Sequence, residues 1–386
     1  MSTNPGQQPN AVLVSHRRFF EGAGGGAQIC SQEYLETISA AGVQTELELM
    51  DFDTSIAARL VSRFSYDKYR SVAPSQQIQA VKDAVRSVQP QFVFLNQVNL
   101  APIAQTLREV LPASCQIILL SHGLESTDLL HQIRLRGAMP LSGRIRPTAP
   151  HALGQTIIKE AELRVHIDGA LVLSPSDAVL ESWMGRHKVA WIPRVLTDRR
   201  IDWRPVGDRL GFVGTLDHAP NLEGLVLAAE ALDAAHYNTP PIVRVIGGPA
   251  STGQWLQEKY ACIDYLGPLS DEELLEEARS WNAFIHPIFC GARGCSTKLA
   301  SAIGWALPIV TTEFGQRGYA WGEGSLAVAN TPTGFAEQCV RMMDVDEAAV
   351  AKSAVVQILE SGPKVADVAC MIADFLYKGD GVKGES

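Results

Sequence analysis

Residues 22–28, with the sequence GAGGGAQ, lie between the first apolar run and the helical pattern that follows it. Glycines at the start of a helix let backbone N–H groups approach an anion, which the helix dipole also attracts. The segment is not a GxGxxG followed by an acidic residue that closes the second strand in the usual way, so it does not favour a dinucleotide. It therefore predicts either an anion site or a flexible turn.

His122 stands in the sequence SHGLE, directly after a strand-like run. A histidine at the carboxyl end of a strand can hydrogen-bond a substrate or move a proton near neutral pH. The alternative is a histidine that only shapes the turn, and the sequence leaves both interpretations open.

Residues 290–312, with the sequence CGARGCSTKLASAIGWALPIVTT, predict a loop, a helix and a strand. Ser296 or Thr297 suits the N-cap of that helix. Lys298 then falls in the first turn, where the helix dipole disfavours a cation unless an anion lies beside it. A phosphate at this helix start would satisfy both Lys298 and the free N–H groups. Arg293 and the neighbouring glycines favour that interpretation over a solvent-exposed lysine.

Short apolar runs alternate with amphipathic segments along the whole chain, which predicts parallel sheets covered by helices. The first set of strands is predicted at 11–15, 44–50, 91–95, 116–121 and 169–174. A second set is predicted at 211–214, 242–247, 262–266, 283–288 and 308–312. The predicted fold class is α/β, with two Rossmann-like doubly wound parallel-sheet domains facing across a cleft.

The domain boundary is predicted in the proline- and arginine-rich stretch 191–208. This gives an N-terminal domain over 1–195 on the acceptor side and a C-terminal domain over 196–386 on the donor side. The final amphipathic segment, 364–378, is expected to pack back on the N-terminal domain.

Composition excludes several classes of protein. A chain of 386 residues, 46% hydrophobic and 19% charged, fits two globular domains and not a disordered, collagen-like or coiled-coil chain. The formal net charge of −9 argues against nucleic-acid partners. Seven scattered cysteines without a CxxC pair, no visible signal peptide and no membrane-length apolar run lead us to expect a cytoplasmic protein.

The ordered set of motifs resembles a known family. Residues 211–225 (GFVGTLDHAPNLEGL) are similar to the opening of the C-terminal domain in many GT-B glycosyltransferases, and 298–312 are similar to their "K..EA...G.PvVtT" segment. Residues 25–28 (GGAQ), His122, 174–178 (SPSDA) and the Ile192-Pro193 link match N-terminal and linker motifs in the same order. The chain thus resembles the retaining, metal-independent glycosyltransferases of family 4, the glycosyl transferases group 1.

The resemblance implies transfer of a sugar from a nucleoside-diphosphate sugar to a glycan, lipid-linked or protein acceptor. It also implies no metal or other cofactor, a role in bacterial-type polysaccharide or glycoconjugate biosynthesis, and no transmembrane segment, although peripheral membrane contact stays compatible with it. His122 is the catalytic candidate. The implied donor-binding residues are Gly25, Gly26, Gly214, Thr215, Leu266, Gly267, Arg293, Gly294, Thr297, Lys298 and Ser301.

Three positions depart from the family pattern. Ser301 stands where the family has the glutamate that bonds the ribose hydroxyls, and Arg293 stands where a second carboxylate is usual. Arg194 replaces the asparagine of the family's interdomain "iPN" motif. The changes at Arg293 and Ser301 keep open a catalytically degenerate GT-B protein that binds a glycan or partner. A sugar-nucleotide epimerase with the same two-domain architecture is a further alternative.

Asp51 and Asp53 form a DxD pair, which is a metal signature in other glycosyltransferases. Because the pair closes the second predicted strand before a helix, we interpret it as two solvated turn carboxylates.

Overall fold

The computed structural model describes residues 10–21, 25–56, 69, 73–135, 148–185, 187–235, 241–291 and 293–378. The chain divides into two compact units. The first is formed from Met1–Ser126, Thr148–Pro193 and Lys364–Ser386, and the second from Thr127–Pro147 and Arg194–Pro363. Residues 22–24 of the glycine segment and most of the loop after Leu135 lie outside the described residues.

The first unit contains one parallel sheet of six strands in the order β2-β1-β3-β4-β5-β6. Strands β1 and β3 are buried along their whole length, as expected for apolar strands covered on both faces. The strands are β1 Ala11–His16, β2 Thr45–Met50, β3 Phe92–Asn96, β4 Gln116–Ser121, β5 Gly169–Val172 and β6 Lys188–Trp191.

Helices flank this sheet, and they include α13 (Val365–Tyr377), the last helix of the chain. Within the first unit, α13 buries an apolar face, and the ring of its Phe375 packs where Gly169 leaves room beside β5. The Lys188 ammonium donates to the Phe375 carbonyl oxygen at 3.0 Å. The helices with residues in this unit are α1 Gly26–Ala40, α2 Ser75–Val88, α3 Ile103–Arg108, α4 Glu125–Arg134, α5 Ala149–Leu163, α6 Pro175–Met184 and α13 Val365–Tyr377. All but the first two residues of α4 belong to the second unit.

The second unit repeats this architecture with the strand order β12-β11-β10-β7-β8-β9. Helix α7 is buried over most of its surface, and a Cβ on Gly224 would overlap the carbonyl oxygen of Pro287. The elements are β7 Arg209–Val213, α7 Ala219–Ala234, β8 Ile242–Ile246, α8 Ala250–Lys259, β9 Ile263–Gly267, α9 Asp271–Arg279, β10 Ala283–His286, α10 Thr297–Gly304, β11 Ile309–Thr311, β12 Ala327–Val328, α11 Pro332–Arg341 and α12 Val345–Ser361.

Two parallel six-stranded sheets flanked by helices confirm the predicted fold class. The ten predicted strands are present, but sequence patterns missed the edge strands β6 and β12. Both are only half-buried and at most four residues long, so they lack the continuous apolar run that marks the central strands. Within the described residues, no helix combines the length and apolar character needed to cross a membrane.

Candidate functional site

Lys298 lies in the first turn of α10, as the sequence predicts, and its ammonium reaches the end of β7. A Cβ built on Gly214 would be 2.9 Å from the Lys298 Nζ, so the ammonium lies directly against the Gly214 backbone. Among the described residues, the ammonium has neither a hydrogen-bond acceptor nor an ion-pair partner. Burial lowers the pKa of Lys298 to about 8. The side chain is therefore a desolvated cation without a counter-charge.

The start of α10 leaves its first backbone N–H groups uncapped by a side chain. The helix begins after Ser296, whose hydroxyl makes no capping bond. The phenol of Tyr319 instead donates to the Ser296 carbonyl oxygen, which fixes this loop. A helix N-terminus beside an unpaired ammonium is suited to a phosphate group.

Backbone bonds fix the strand end that carries Gly214 and Thr215. The Gly214 N–H donates to the Ile246 carbonyl oxygen at 2.8 Å, and the Asn221 amide donates to the Thr215 carbonyl oxygen at 2.8 Å. Gly247 has a φ of +134°, and a Cβ there would overlap the Gly214 carbonyl oxygen. The ends of β7 and β8 therefore approach each other more closely than side chains would permit.

Leu266 and Gly267 end the next strand, β9, beside the same region. The Gly247 N–H donates to the Gly267 carbonyl oxygen at 3.0 Å, and the Tyr265 hydroxyl donates to the Gly247 carbonyl oxygen at 2.8 Å. Gly267 has a φ of +80°, a conformation that favours glycine. The carboxyl ends of β7, β8 and β9 thus form one continuous edge in the second unit, where ligands of parallel α/β sheets bind.

Arg293 is engaged by a carboxylate. Its Nε lies 2.7 Å from Oδ2 of Asp128 on α4, and His218 Nε2 is 3.7 Å from the other carboxylate oxygen. Burial acts to raise the pKa of Asp128, but His218 and Arg293 hold it below its usual range. The sequence suggested that Arg293 would meet the negative charge of a donor. In the structure, the positive charge of Arg293 is balanced by Asp128 of the same unit.

Arg317 is a third cation of this region, after Lys298 and Arg293, and sequence reasoning did not single it out. Its Nη2 donates to the Arg293 carbonyl oxygen at 2.9 Å, which anchors the loop that carries Arg293 and the buried Gly294. Gly294 has a φ of +60°. The position of Arg317 in EFGQRG, just after the "PvVtT" match, was the available signal.

His286 lies at the end of β10, near Lys298 and Arg317. Burial lowers its pKa to about 3, and the charges of Lys298 and Arg317 add to that effect. Its Nδ1 is 3.2 Å from Thr311 Oγ1. His286 is therefore neutral at physiological pH and leaves the local excess of positive charge to Lys298 and Arg317.

Ser301 lies one turn after Thr297 on α10 and faces its own helix backbone. Its hydroxyl donates to the Thr297 carbonyl oxygen at 3.3 Å. A serine in this arrangement offers a much weaker hydrogen-bond acceptor for a diol than a carboxylate does.

Gly25, Gly26 and His122 belong to the first unit. The Gly25 N–H donates to Oε1 of Gln28 at 3.0 Å, and the Gln28 amide donates to the Arg18 carbonyl oxygen at 2.9 Å. Gly26 then begins α1 without a side-chain cap. The Gly25 N–H, which the sequence predicted to face a phosphate, is thus used inside the chain.

His122 follows β4 in a turn that is fixed by buried hydrogen bonds and an ion pair. Gly123 has a φ of +92°, and its N–H donates to the Ser121 hydroxyl oxygen at 3.2 Å. That hydroxyl donates to Glu181 at 2.8 Å, and Arg164 binds the same carboxylate with both side chains fully buried. Burial acts to raise the pKa of Glu181, but the nearby His187 and the bonds from Arg164 and Ser121 lower it to about 2. A permanent buried charge pair therefore anchors the His122 turn.

Asp51 and Asp53 make the contacts of a turn. Asp51 lies 3.4 Å from the Arg17 Nε and accepts from the Gln77 amide at 3.1 Å, and Asp53 accepts from the Ser55 N–H at 3.0 Å.

One cluster of metal-type side chains occurs in the part of the chain that the structure describes: His131, Glu223 and Cys290, with ligand atoms within 4.8 Å of one another. Its surroundings fit a cation poorly. The Arg134 guanidinium is 3.9 Å from Glu223, and the positive charges of Arg134 and Arg317 act to lower the pKa of the Cys290 thiol. Burial still raises the pKa of that thiol to about 12, so the sulfur is protonated at neutral pH in the metal-free protein.

Part of the second unit matches a known protein family. Residues 207–344, which include most of the second unit's described site, match the family model of glycosyl transferases group 1. The resemblance indicated by the sequence motifs is therefore confirmed over this segment. Among curated proteins, none matches the chain at a significant level.

Solved structures of similar fold cover nearly the whole chain. Sucrose-phosphate synthase from Thermosynechococcus elongatus is 13% identical, with a TM-score of 0.67 over 95% of this chain and 98% of its own. An α,α-trehalose-phosphate synthase (UDP-forming) from Burkholderia vietnamiensis is 12% identical, with a TM-score of 0.60 over 96% and 98%. An E. coli trehalose-6-phosphate structure bound with UDP-2-fluoro glucose is 13% identical, with a TM-score of 0.57 over 95% and 99%. At these identities the likeness establishes the GT-B fold.

Proposed function

We propose that this protein is a glycosyltransferase that moves a sugar from a nucleoside-diphosphate sugar to a glycan, lipid-linked or protein acceptor. The observation that carries the proposal is the desolvated ammonium of Lys298 at the start of α10, beside Gly214, for which the described residues offer no counter-charge. This ammonium supplies a positive charge that can pair with a diphosphate, and it lies within the segment that matches a glycosyltransferase family model.

The leaving diphosphate carries the negative charge that develops when the bond to the sugar breaks. Lys298 and the uncapped N–H groups of α10 would stabilise that charge, and both are held in place before the donor arrives. Because these groups are cationic or dipolar, we propose that transfer needs no metal ion. The edge at Leu266 and Gly267 is the place for the base, and Gly214 and Thr215 are placed to contact the phosphates and the sugar.

The second unit supplies the donor side in this proposal, and the first unit supplies the acceptor side. His122 would contact the transferred sugar, and Gly26 would approach the donor at the start of α1, where Gln28 holds the N–H of the preceding Gly25. Retention of configuration is part of the proposal on the strength of the family resemblance.

Ser301 is the observation that favours a second candidate function. With its hydroxyl bonded to the Thr297 carbonyl oxygen, it does not supply the ribose carboxylate of the family pattern. A catalytically degenerate protein that binds a glycan or a partner would tolerate that loss.

Turnover of a donor panel separates these functions. The protein is incubated with UDP-, GDP-, ADP- and dTDP-glucose in the presence of EDTA, with and without mixed sugar acceptors. Released nucleoside diphosphate and sugar products are followed by NMR. Acceptor-dependent release supports the transferase, a new epimer without acceptor supports an epimerase, and no turnover of any donor supports the degenerate protein. Restoration of turnover only by Mg²⁺ would overturn the metal-independent mechanism.

A further inference from the structure

Asn96 ends β3 directly beside the strand that leads to His122. In the parallel register, Asn96 pairs with Leu120 of β4, two residues before His122. The Asn96 side chain is fully buried, and its Oδ1 is 3.2 Å from the His122 Nε2. The mechanism proposed above assigns no role to this asparagine.

The orientation of the Asn96 amide follows from its other partners. Its Nδ2 donates to the Ser15 hydroxyl oxygen at 2.9 Å and to the Ser31 hydroxyl oxygen at 2.8 Å. Each of these hydroxyls already donates its hydrogen to a backbone carbonyl oxygen. Ser15 donates to the His16 oxygen at 3.2 Å, and Ser31 donates to the Ala27 oxygen at 2.8 Å. Both serines can therefore only accept from the amide, so its nitrogen faces them and its oxygen faces His122.

An amide oxygen is an acceptor only, so the His122 Nε2 must carry a hydrogen. If the amide were reversed, both serines would have to give up their carbonyl bonds, and its nitrogen would face the imidazole instead. The ring is also held from the side, because the Tyr34 ring centroid lies 5.8 Å from that of His122. The Tyr34 hydroxyl donates to the Leu171 carbonyl oxygen at 3.1 Å.

We propose that Asn96 is the positioning residue of His122, which holds the neutral imidazole as the tautomer with hydrogen on Nε2. A sugar hydroxyl that reaches Nδ1 then meets an acceptor and not a donor. The same Nε2–H bond persists when Nδ1 takes up a proton, so the ring need not turn during a proton transfer. The role of Asn96 in transfer rests on the proposed function, whereas the tautomer does not.

The tautomer is measured directly by NMR of the nine histidines, labelled with ¹⁵N in the imidazole ring. Spectra are recorded near pH 8.5, about two units above the ordinary histidine pKa of about 6.5. The His122 signals are those lost in His122→Gln. We expect a protonated Nε2 and an unprotonated Nδ1. A protonated Nδ1, or averaged signals from both tautomers, would overturn the proposal.

Variants separate the amide oxygen from packing in general. Asn96→Leu removes the acceptor and should give a mixture of tautomers, whereas Ser31→Ala keeps Oδ1 in place through Ser15 and should keep the wild-type pattern. Where Asn96→Leu fails to fold, Asn96→Asp sets a carboxylate against Nε2 and should raise the His122 pKa by about one unit. A wild-type pattern in Asn96→Leu, or an unchanged titration in Asn96→Asp, would contradict the proposal.

Kinetics then test the consequence for catalysis. Asn96→Leu should lower kcat at least about tenfold with little change in the donor KM, and Ser31→Ala should stay within about threefold of wild type. Wild-type kcat in Asn96→Leu would overturn the positioning role. If the tautomer is as proposed but wild-type protein transfers no sugar from any donor, the proposed function fails and the Asn96–His122 relationship stands.

Discussion

The ammonium of Lys298 occupies the space that a side chain on Gly214 would fill, with Nζ 2.9 Å from the position of that missing Cβ. One residue begins a helix and the other ends a strand, so the contact joins the two kinds of backbone terminus that bind phosphates in α/β proteins. A cation at such a junction that is paired by none of the described residues costs folding free energy, which is recovered when an anion binds.

Lys298→Met should stabilise the ligand-free protein. Methionine fills a similar volume without the buried charge, so we expect the free energy of unfolding to rise by about 1–2 kcal/mol at pH 7. Urea unfolding followed by circular dichroism measures this change. Lys259→Met is the matched control, because Lys259 is half exposed beside Glu230, and its effect should stay within about 0.5 kcal/mol. Destabilisation by Lys298→Met would show that the ammonium already has a stabilising environment.

Binding of a nucleoside diphosphate should weaken as pH rises above 8. The free protein has a Lys298 pKa of about 8, and a bound diphosphate favours the protonated ammonium and raises that pKa. The complex therefore holds more protons than the free protein, and affinity should fall by up to about tenfold per pH unit between pH 8 and 10.

Calorimetry at pH 8 in two buffers of different ionisation enthalpy measures the proton uptake, which should lie between zero and one proton per site. In Lys298→Arg, where the cation does not titrate in this range, the pH dependence should disappear. A pH dependence that persists in Lys298→Arg would assign it to another group.

Ser301→Glu should strengthen nucleotide binding. The substituted carboxylate would lie one turn beyond Thr297, and a charged acceptor for the ribose hydroxyls is worth about 1–3 kcal/mol more than a hydroxyl contact. We expect at least about fivefold tighter binding of a ribonucleoside diphosphate, but no gain for the 2′,3′-dideoxy analogue. Ser301→Gln, without the charge, should gain less. Equal gains for both nucleotides would place the new carboxylate away from the ribose.

Gly224→Ala should destabilise the second unit although alanine is the better helix former. The added Cβ would overlap the Pro287 carbonyl oxygen, so α7 would have to move away from the loop that follows β10. Gly154→Ala, in helix α5 with nothing near the added methyl group, should raise stability by up to about 1 kcal/mol. Thermal unfolding of both variants makes the comparison, and a stabilised Gly224→Ala would contradict the close packing of α7.

The sequence predicted the central strands because their apolar runs reflect burial on both faces, as in Phe92–Asn96. It also placed Lys298 at the start of a helix from local residue types alone. It could not foresee that Asp128 would pair with Arg293, because that contact joins positions far apart in the chain. Asn96 escaped notice for the same reason: its role depends on Ser15, Ser31 and His122, which only the folded sheet brings together.

The central claim is that Lys298 holds the diphosphate of a nucleotide-sugar donor, and isothermal titration with UDP, GDP, ADP, dTDP and, as a monophosphate comparison, CMP tests it most directly. Each titration is run with Mg²⁺ and with EDTA. The account predicts saturable binding of one diphosphate that is indifferent to Mg²⁺, lost in Lys298→Ala and retained in Lys259→Ala. Binding that survives in Lys298→Ala, or the absence of binding across the whole panel, would contradict it.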